Sequence, residues 1–184
     1  MGFEAESERL PLTPEQESEL RGVAIGRAPE ALAAYQNAQS DDERFDALCD
    51  AAFAAFHLEQ YELASRLAAE MLAAAPNFEG DWNYGNAVHA GHTVLGLLAL
   101  RNGDTPLAVE ELHKAGATCG SPQLGSFGPT MILAKALLRV GESEAVLTHF
   151  GQCRKFWKMG ETWLDIWEGK VRDGQTPNFF MHQH

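Results

Sequence analysis

The sequence predicts an all-α chain built from successive helix pairs, and three observations predict it. Apolar residues recur at helical spacing, and capping residues and glycine stops divide the chain at short intervals. No alternating run rich in Val, Ile and Thr marks a strand. The small residues Ala52, Gly96 and Ala134 recur at one place in three successive pairs, where two helices must approach closely and a large side chain would hold them apart.

Thr13-Pro14-Glu15-Gln16 combines an N-cap, a proline at the first helical position and a capping-box partner, so a helix starts there. It is expected to pause around Gly26 to Pro29, with Glu30 to Ala38 as a second, alanine-rich piece. Ser40-Asp41-Asp42-Glu43 is another capping box, opening a helix that carries Phe45, Leu48, Ala52, Phe53 and Phe56. The next helix covers residues 60–75 and ends before Pro76, and Asp81 is placed to cap a long one that ends at Arg101, before Asn102-Gly103. Thr105-Pro106 opens a helix to Gly116, and Thr118 to Gly128 reads as a loop rich in Gly, Ser and Pro. Pro129 to Val140, Glu142 to Trp157 and Glu161 to Arg172 complete the helices, with stops at Gly141 and Gly174.

The 184 residues are 45% apolar with a mean hydropathy of −0.24, which supports a sizeable core in one domain. No stretch approaches the ~18 uninterrupted apolar residues of a spanning helix. The start Met1-Gly2-Phe3-Glu4 lacks the basic-then-apolar run of a secretion signal. Cys49, Cys119 and Cys153 are odd in number and widely spaced, which fits a reducing, cytoplasmic setting better than a disulfide framework or thiolate zinc site.

The formal charge of −12 is an N-terminal property: residues 1–62 hold 14 acids against 4 bases, and residues 63–184 hold 12 against 10. Such a chain repels polyanions, so neither nucleic acid nor an anionic membrane is an expected partner. The one dense basic cluster, Arg154, Lys155 and Lys158, reads as cations near a helix end.

Gln60-Tyr61-Glu62-Leu63-Ala64-Ser65-Arg66-Leu67-Ala68, followed by Ala75-Pro76-Asn77, resembles the second half of a tetratricopeptide repeat (TPR). Leu95-Gly96, Gly103-Asp104, Ala108, Leu112 and Ala115 restate the pattern, and Leu133-Ala134, Gly141-Glu142, Ala145, Phe150 and Cys153 do so again. The repeat is degenerate: the steps between its small residues are 44 and 38 residues, against about 34 in the regular family. The aromatic expected three residues after the small position is replaced by Ala55, Ala99 and Leu137.

The resemblance implies a right-handed α-solenoid of about three TPR-like hairpins over residues 42–157, with residues 1–40 and 158–184 supplying capping helices and a tail. It also implies a concave groove faced by Phe53, Phe56, His57, Thr93, Leu97, Arg101, Lys135 and Arg139, with Asn86 on the same stripe. An apolar floor with a basic edge suits an acidic protein or peptide partner. The family's carboxylate clamp is absent, since its places hold Cys49, Phe53, Val94, Gly128 and Ile132.

Two stretches carry more polar detail than repeat packing demands. They resemble segments of uncharacterised bacterial TPR-like proteins, a likeness that implies no function. Residues 81–93 extend a first helix, and residues 118–129 are expected to lie over it with Phe127 as the anchor. Asn83, Tyr84, Asn86, His89 and His92 opposite Cys119 and Ser126 would form a pocket for a small molecule. Gly85, His89, His92 and Gly96 share one stripe, so the histidines face the partner helix. Two imidazoles at this spacing can share a metal, yet no further ligand lies near in sequence, and neither metal nor cofactor is expected. No nucleophile elbow, zinc-protease helix, dinucleotide fingerprint or Walker lysine occurs. A thiol–imidazole pair between Cys119 and either histidine would require the loop to fold onto the helix.

Overall fold

The computed structural model describes residues 2–179 and 181–183, which hold ten α-helices and no strand. A short α1 (Phe3–Ser7) precedes α2 (Pro14–Asn37), whose Thr13 closes the full capping box with Gln16. α2 runs unbroken through Pro29, where a pause was expected. A proline inside a helix removes one hydrogen bond and costs about 3 kcal/mol. Here α2 lies along α3 (Asp41–His57) and Ala28, beside the proline, is buried, so packing keeps the two halves in line.

α4 (Tyr61–Ala74) ends in a single 3-10 turn over Ala75–Phe78. α5 (Tyr84–Arg101) starts later than expected, because the Asp81 carboxylate accepts the Asn83 backbone N–H at 2.7 Å and closes a turn ahead of the helix. α6 (Thr105–Gly116) follows as predicted. The 118–128 loop contains an additional helix, α7 (Pro122–Phe127), capped by the Ser121 hydroxyl. α8 (Ile132–Arg139) is shorter than the predicted 129–140, and just ahead of it the Met131 N–H donates to the His182 carbonyl of the C-terminal tail at 2.7 Å. α9 (Ser143–Phe156) and α10 (Glu161–Arg172) complete the order.

α3 packs on α4, α4 on α5, α5 on α6 and α8 on α9, while α3, α5 and α8 meet in turn along one face. Gly96, expected to let α5 approach the second helix of its own pair, meets α8 most closely instead, because a side chain there would overlap Leu133 before it reached Glu111 of α6. The core has two parts. Around α3 and α4 it is alanine-rich, with Ala51, Ala52, Ala64 and Ala68 between Phe45, Leu48, Leu67 and Met71. Toward the C-terminus it is aromatic, with Trp157 and Trp167 buried among Phe150 and Phe179.

The first 40 residues do more than cover the first hairpin. α1 rests on α10, and the wholly buried Glu8 carboxylate accepts hydrogen bonds from Trp167 Nε1 and the Asn178 backbone N–H, each at 2.9 Å, while Lys170 pairs with it at 3.4 Å. From there α2 returns to α3, passing α8 on the way. No helix among the described residues is long and apolar enough to cross a membrane.

Candidate functional site

The face built by α3, α5 and α8 carries two cavities of similar size. One, of about 630 Å3, opens where these helices begin, and the other, of about 620 Å3, lies where they end. Turns of α3 and α5 before their last ones and residues 129–130, just ahead of α8, line the first, while the last turns of α3 and α5 and the length of α8 line the second, so the helices run the same way.

The first cavity unites the two polar stretches. Glycine at 85 is required for this contact, since a Cβ there would overlap the Gly120 carbonyl. The Thr118 hydroxyl donates to the Gly85 carbonyl at 2.9 Å and the Ser121 hydroxyl to Asn86 Oδ1 at 2.6 Å. Asn86 Nδ2 donates to Asn83 Oδ1 and Gln123 Oε1, both at 2.9 Å, and Asn83 Nδ2 donates to Asp46 Oδ1 at 3.1 Å. The apolar anchor of the loop is Leu124, 6% exposed, and not Phe127, which is 76% exposed at the cavity rim. α7 is a single short helix, and its one inward apolar position falls on Leu124.

Asn83, Asn86, His89 and Ser126 line this cavity, and Phe53 does too, although it was expected in the groove. Tyr84, His92 and Cys119 do not. Tyr84 packs against the alanine-rich core. His92 Nδ1–H donates to Glu111 Oε2 at 2.7 Å, on α6. The exposed Cys119 thiol donates to the Gly120 carbonyl at 3.5 Å, so it forms no pair with either imidazole. Thr93 is buried, with its hydroxyl donating to the His89 carbonyl at 2.7 Å, and lines neither cavity.

His89 is 3% exposed, donates from Nδ1 to the Ala115 carbonyl at 3.2 Å and leaves Nε2 without a partner. Burial, only partly offset by the carbonyls of Ala115 and Thr130, pushes it down to about 4. Behind it the buried His149 ring lies at 6.4 Å, pushed down to about 3 by burial and by its histidine neighbours. Both imidazoles are neutral at pH 7. Burial pushes the Cys49 thiol, in the cavity wall, up to about 12, so it carries no thiolate. Among the described residues no three His, Cys, Asp or Glu side chains converge as a metal would need.

No family model, curated protein or solved structure matches the chain. The geometry of the two cavities therefore carries the functional argument.

The second cavity brings together Phe56, His57, Leu97, Arg101, Lys135 and Arg139 of the residues expected in the groove, without Phe53, Asn86 and Thr93. Its other wall is α2. Glu17 of that helix pairs with Lys135 at 2.7 Å and with Arg139 at 2.6 Å, and Lys135 also donates to Gln183 of the tail at 2.8 Å. Arg101 lies over the Tyr61 ring at 3.8 Å. All three cations expected to select a ligand are thus already engaged within the chain. Burial opposes ionisation of Glu17, but the hydrogen bonds and charges of Lys135 and Arg139 prevail and hold its carboxyl below the usual range. Burial, aided by the Arg21 charge, keeps His57 below the ordinary histidine range.

Sequence reasoning missed Glu17, the tail residues Met181 and His182, and Asp50. Only Asp50 left a signal: Asp46, Cys49, Asp50 and Phe53 form one helical stripe that runs along the first cavity. The contact of Glu17 with Arg139 spans 122 residues and has no local signature.

Proposed function

We propose that the chain is a TPR-like scaffold, a right-handed solenoid of three hairpins formed by α3–α4, α5–α6 and α8–α9, that holds an acidic segment of a protein partner in the groove edged by Lys135 and Arg139. The helix pairings support the repeat reading. The observation that carries the binding reading is Glu17, a carboxylate from the chain's own α2 seated between the two groove cations. α2 acts as a placeholder, and a partner gains the groove by supplying a carboxylate in its stead.

The exchange is cheap for physical reasons. Lys135 is 7% exposed, and leaving such a charge unpaired is costly, so the groove favours one carboxylate or another over none. The groove half of α2 is lightly held, with Leu20, Val23 and Ile25 all exposed. Three free cysteines in separate surroundings suit a reducing compartment such as the cytoplasm.

The test is fluorescence anisotropy with a labelled peptide copy of residues 13–28. Glu17→Lys repels the groove cations and releases α2, so this variant should bind the peptide about tenfold more tightly than the unaltered protein, roughly 1.4 kcal/mol. Lys135→Glu should abolish binding. Equal affinity across all three proteins would sink the reading.

A further inference from the structure

We infer that the first cavity is a binding site for an organic cation, an ammonium or guanidinium group carried on a short apolar chain. This goes beyond the groove reading and concerns the opposite end of the same face.

Three independent observations lead there. The first is charge. None of the described lining residues is Lys or Arg, while Asp46 and Asp50 stand one turn apart on the stripe of α3 that borders the cavity. Burial, followed by the nearby charges of Asp81 and Asp42, raises the Asp46 carboxyl above its usual range despite the Asn83 hydrogen bond. Negative charge crowded in this way is relieved by a cation.

The second is hydrogen bonding. The amides of Asn83 and Asn86 are spent on one another and on Asp46, Ser121 and Gln123, so the acceptors that the polar wall offers a ligand are the Asp46 and Asp50 carboxylates. His89 adds another. Its Nδ1 bonds the Ala115 carbonyl, and its Nε2 has no hydrogen-bond partner, in a ring that borders the cavity. A buried acceptor without a donor costs about 1–3 kcal/mol, and a ligand N–H removes that cost.

The third is the apolar rim. Trp82 and Phe127 are 53% and 76% exposed where they border the cavity, and Phe53 lies deeper. An aromatic rim around carboxylates suits an alkyl chain with a cationic head.

A free amine or a basic side chain of a peptide could supply this chemistry. Calorimetric titration at low ionic strength separates them, with 1,4-diaminobutane in one arm and an acetyl-Gly-Gly-Arg-Gly-Gly amide peptide in the other. Butanediol and the citrulline form of the peptide serve as uncharged controls. Binding in the first arm alone identifies a small amine, binding in the second alone a peptide side chain, and either sustains the site. The double change Asp46→Asn and Asp50→Asn should weaken binding at least about tenfold, as loss of charge-assisted contacts does. Asp50→Asn alone, which touches no internal hydrogen bond of the site, should weaken it less. Glu62→Gln, an exposed acid outside the cavity, should change it less than about twofold.

Absence of binding in both arms, equal binding of the uncharged controls, or an equal loss in Glu62→Gln would overturn the proposal. The 15N signal of His89 Nε2 is the second readout, and a shift under saturating cation sustains the site. A signal that stays in place puts the ligand elsewhere and overturns it.

Discussion

The two cavities share one face, similar volumes and the helices α3 and α5, yet they differ in charge and in occupancy. The cavity at the helix starts is bordered by Asp46 and Asp50, with no cation among its described residues, whereas the one at the helix ends has Arg101, Lys135 and Arg139. Acids favour the first turn of a helix and bases the last, because each complements the helix dipole. Asp41, Asp42 and Glu43 start α3, while His57, Arg101 and Arg139 end α3, α5 and α8. Stacking the three helices in one direction gathers their basic last turns at one end, while the acids of the other cavity, Asp46 and Asp50, come from within α3 alone. The difference in occupancy has another cause: α2 passes over the basic end and places Glu17 there, and the acidic end receives no such cation.

Acid should separate the two ends most strongly. His89 and His149 are neutral in the folded protein and held far below the ordinary histidine range. Their stabilising effect is complete above about 6.5, where the unfolded chain is also neutral, and is lost as pH falls toward about 4, by up to about 1.4 kcal/mol per pH unit for each. Glu17 is held low, so its ion pairs persist down to the ordinary glutamate range and are lost only below it. Urea midpoints should therefore fall steeply between pH 6.5 and 4.5, and His149→Gln should flatten that slope. An unchanged slope would show that the imidazoles are not neutral and buried as described.

Gly85→Val should break the comparison at its acidic end. The new side chain meets the Gly120 carbonyl, which is backbone and cannot turn aside, so the loop should lift from α5 at a cost of roughly 1–3 kcal/mol. Thermal unfolding would record the loss, and proteolysis at residues 118–128 would localise it. Glu17→Ala should affect the basic end by about 1 kcal/mol, because Lys135 retains Gln183 as a partner. Hydrogen exchange should then rise in the first half of α2 and stay unchanged in α7. The smallest effect belongs to Arg139→Ala, whose side chain is 55% exposed in its pair with Glu17. A loss of roughly 0.2–1 kcal/mol is expected in chemical denaturation.

Much of the helical order was legible because its signals are local. The Thr13 box, the stop after Arg101 and the Ser143 to Phe156 helix need only neighbours a few residues away. The errors arose where distant contacts overrode local chemistry. Pro29 is carried through by packing on α3, and residues 129–131 stay outside α8, where the Met131 N–H meets the tail. The candidate site divides in the same way. Helical spacing placed His89 and His92 toward α6, as their bonds to Ala115 and Glu111 show, but could not show which of them also borders a cavity.

Helix positions, the crowded place at Gly96 and the acidic bias of the first 62 residues follow from the order of amino acids, because capping, close packing and charge act over a turn or along a stripe. The seating of Glu17 between Lys135 and Arg139, the meeting of Gly85 with Gly120 and the bare His89 nitrogen follow only from the packed molecule. Each depends on bringing together segments far apart in the chain, and that proximity is set by how the helices stack, which no local preference encodes.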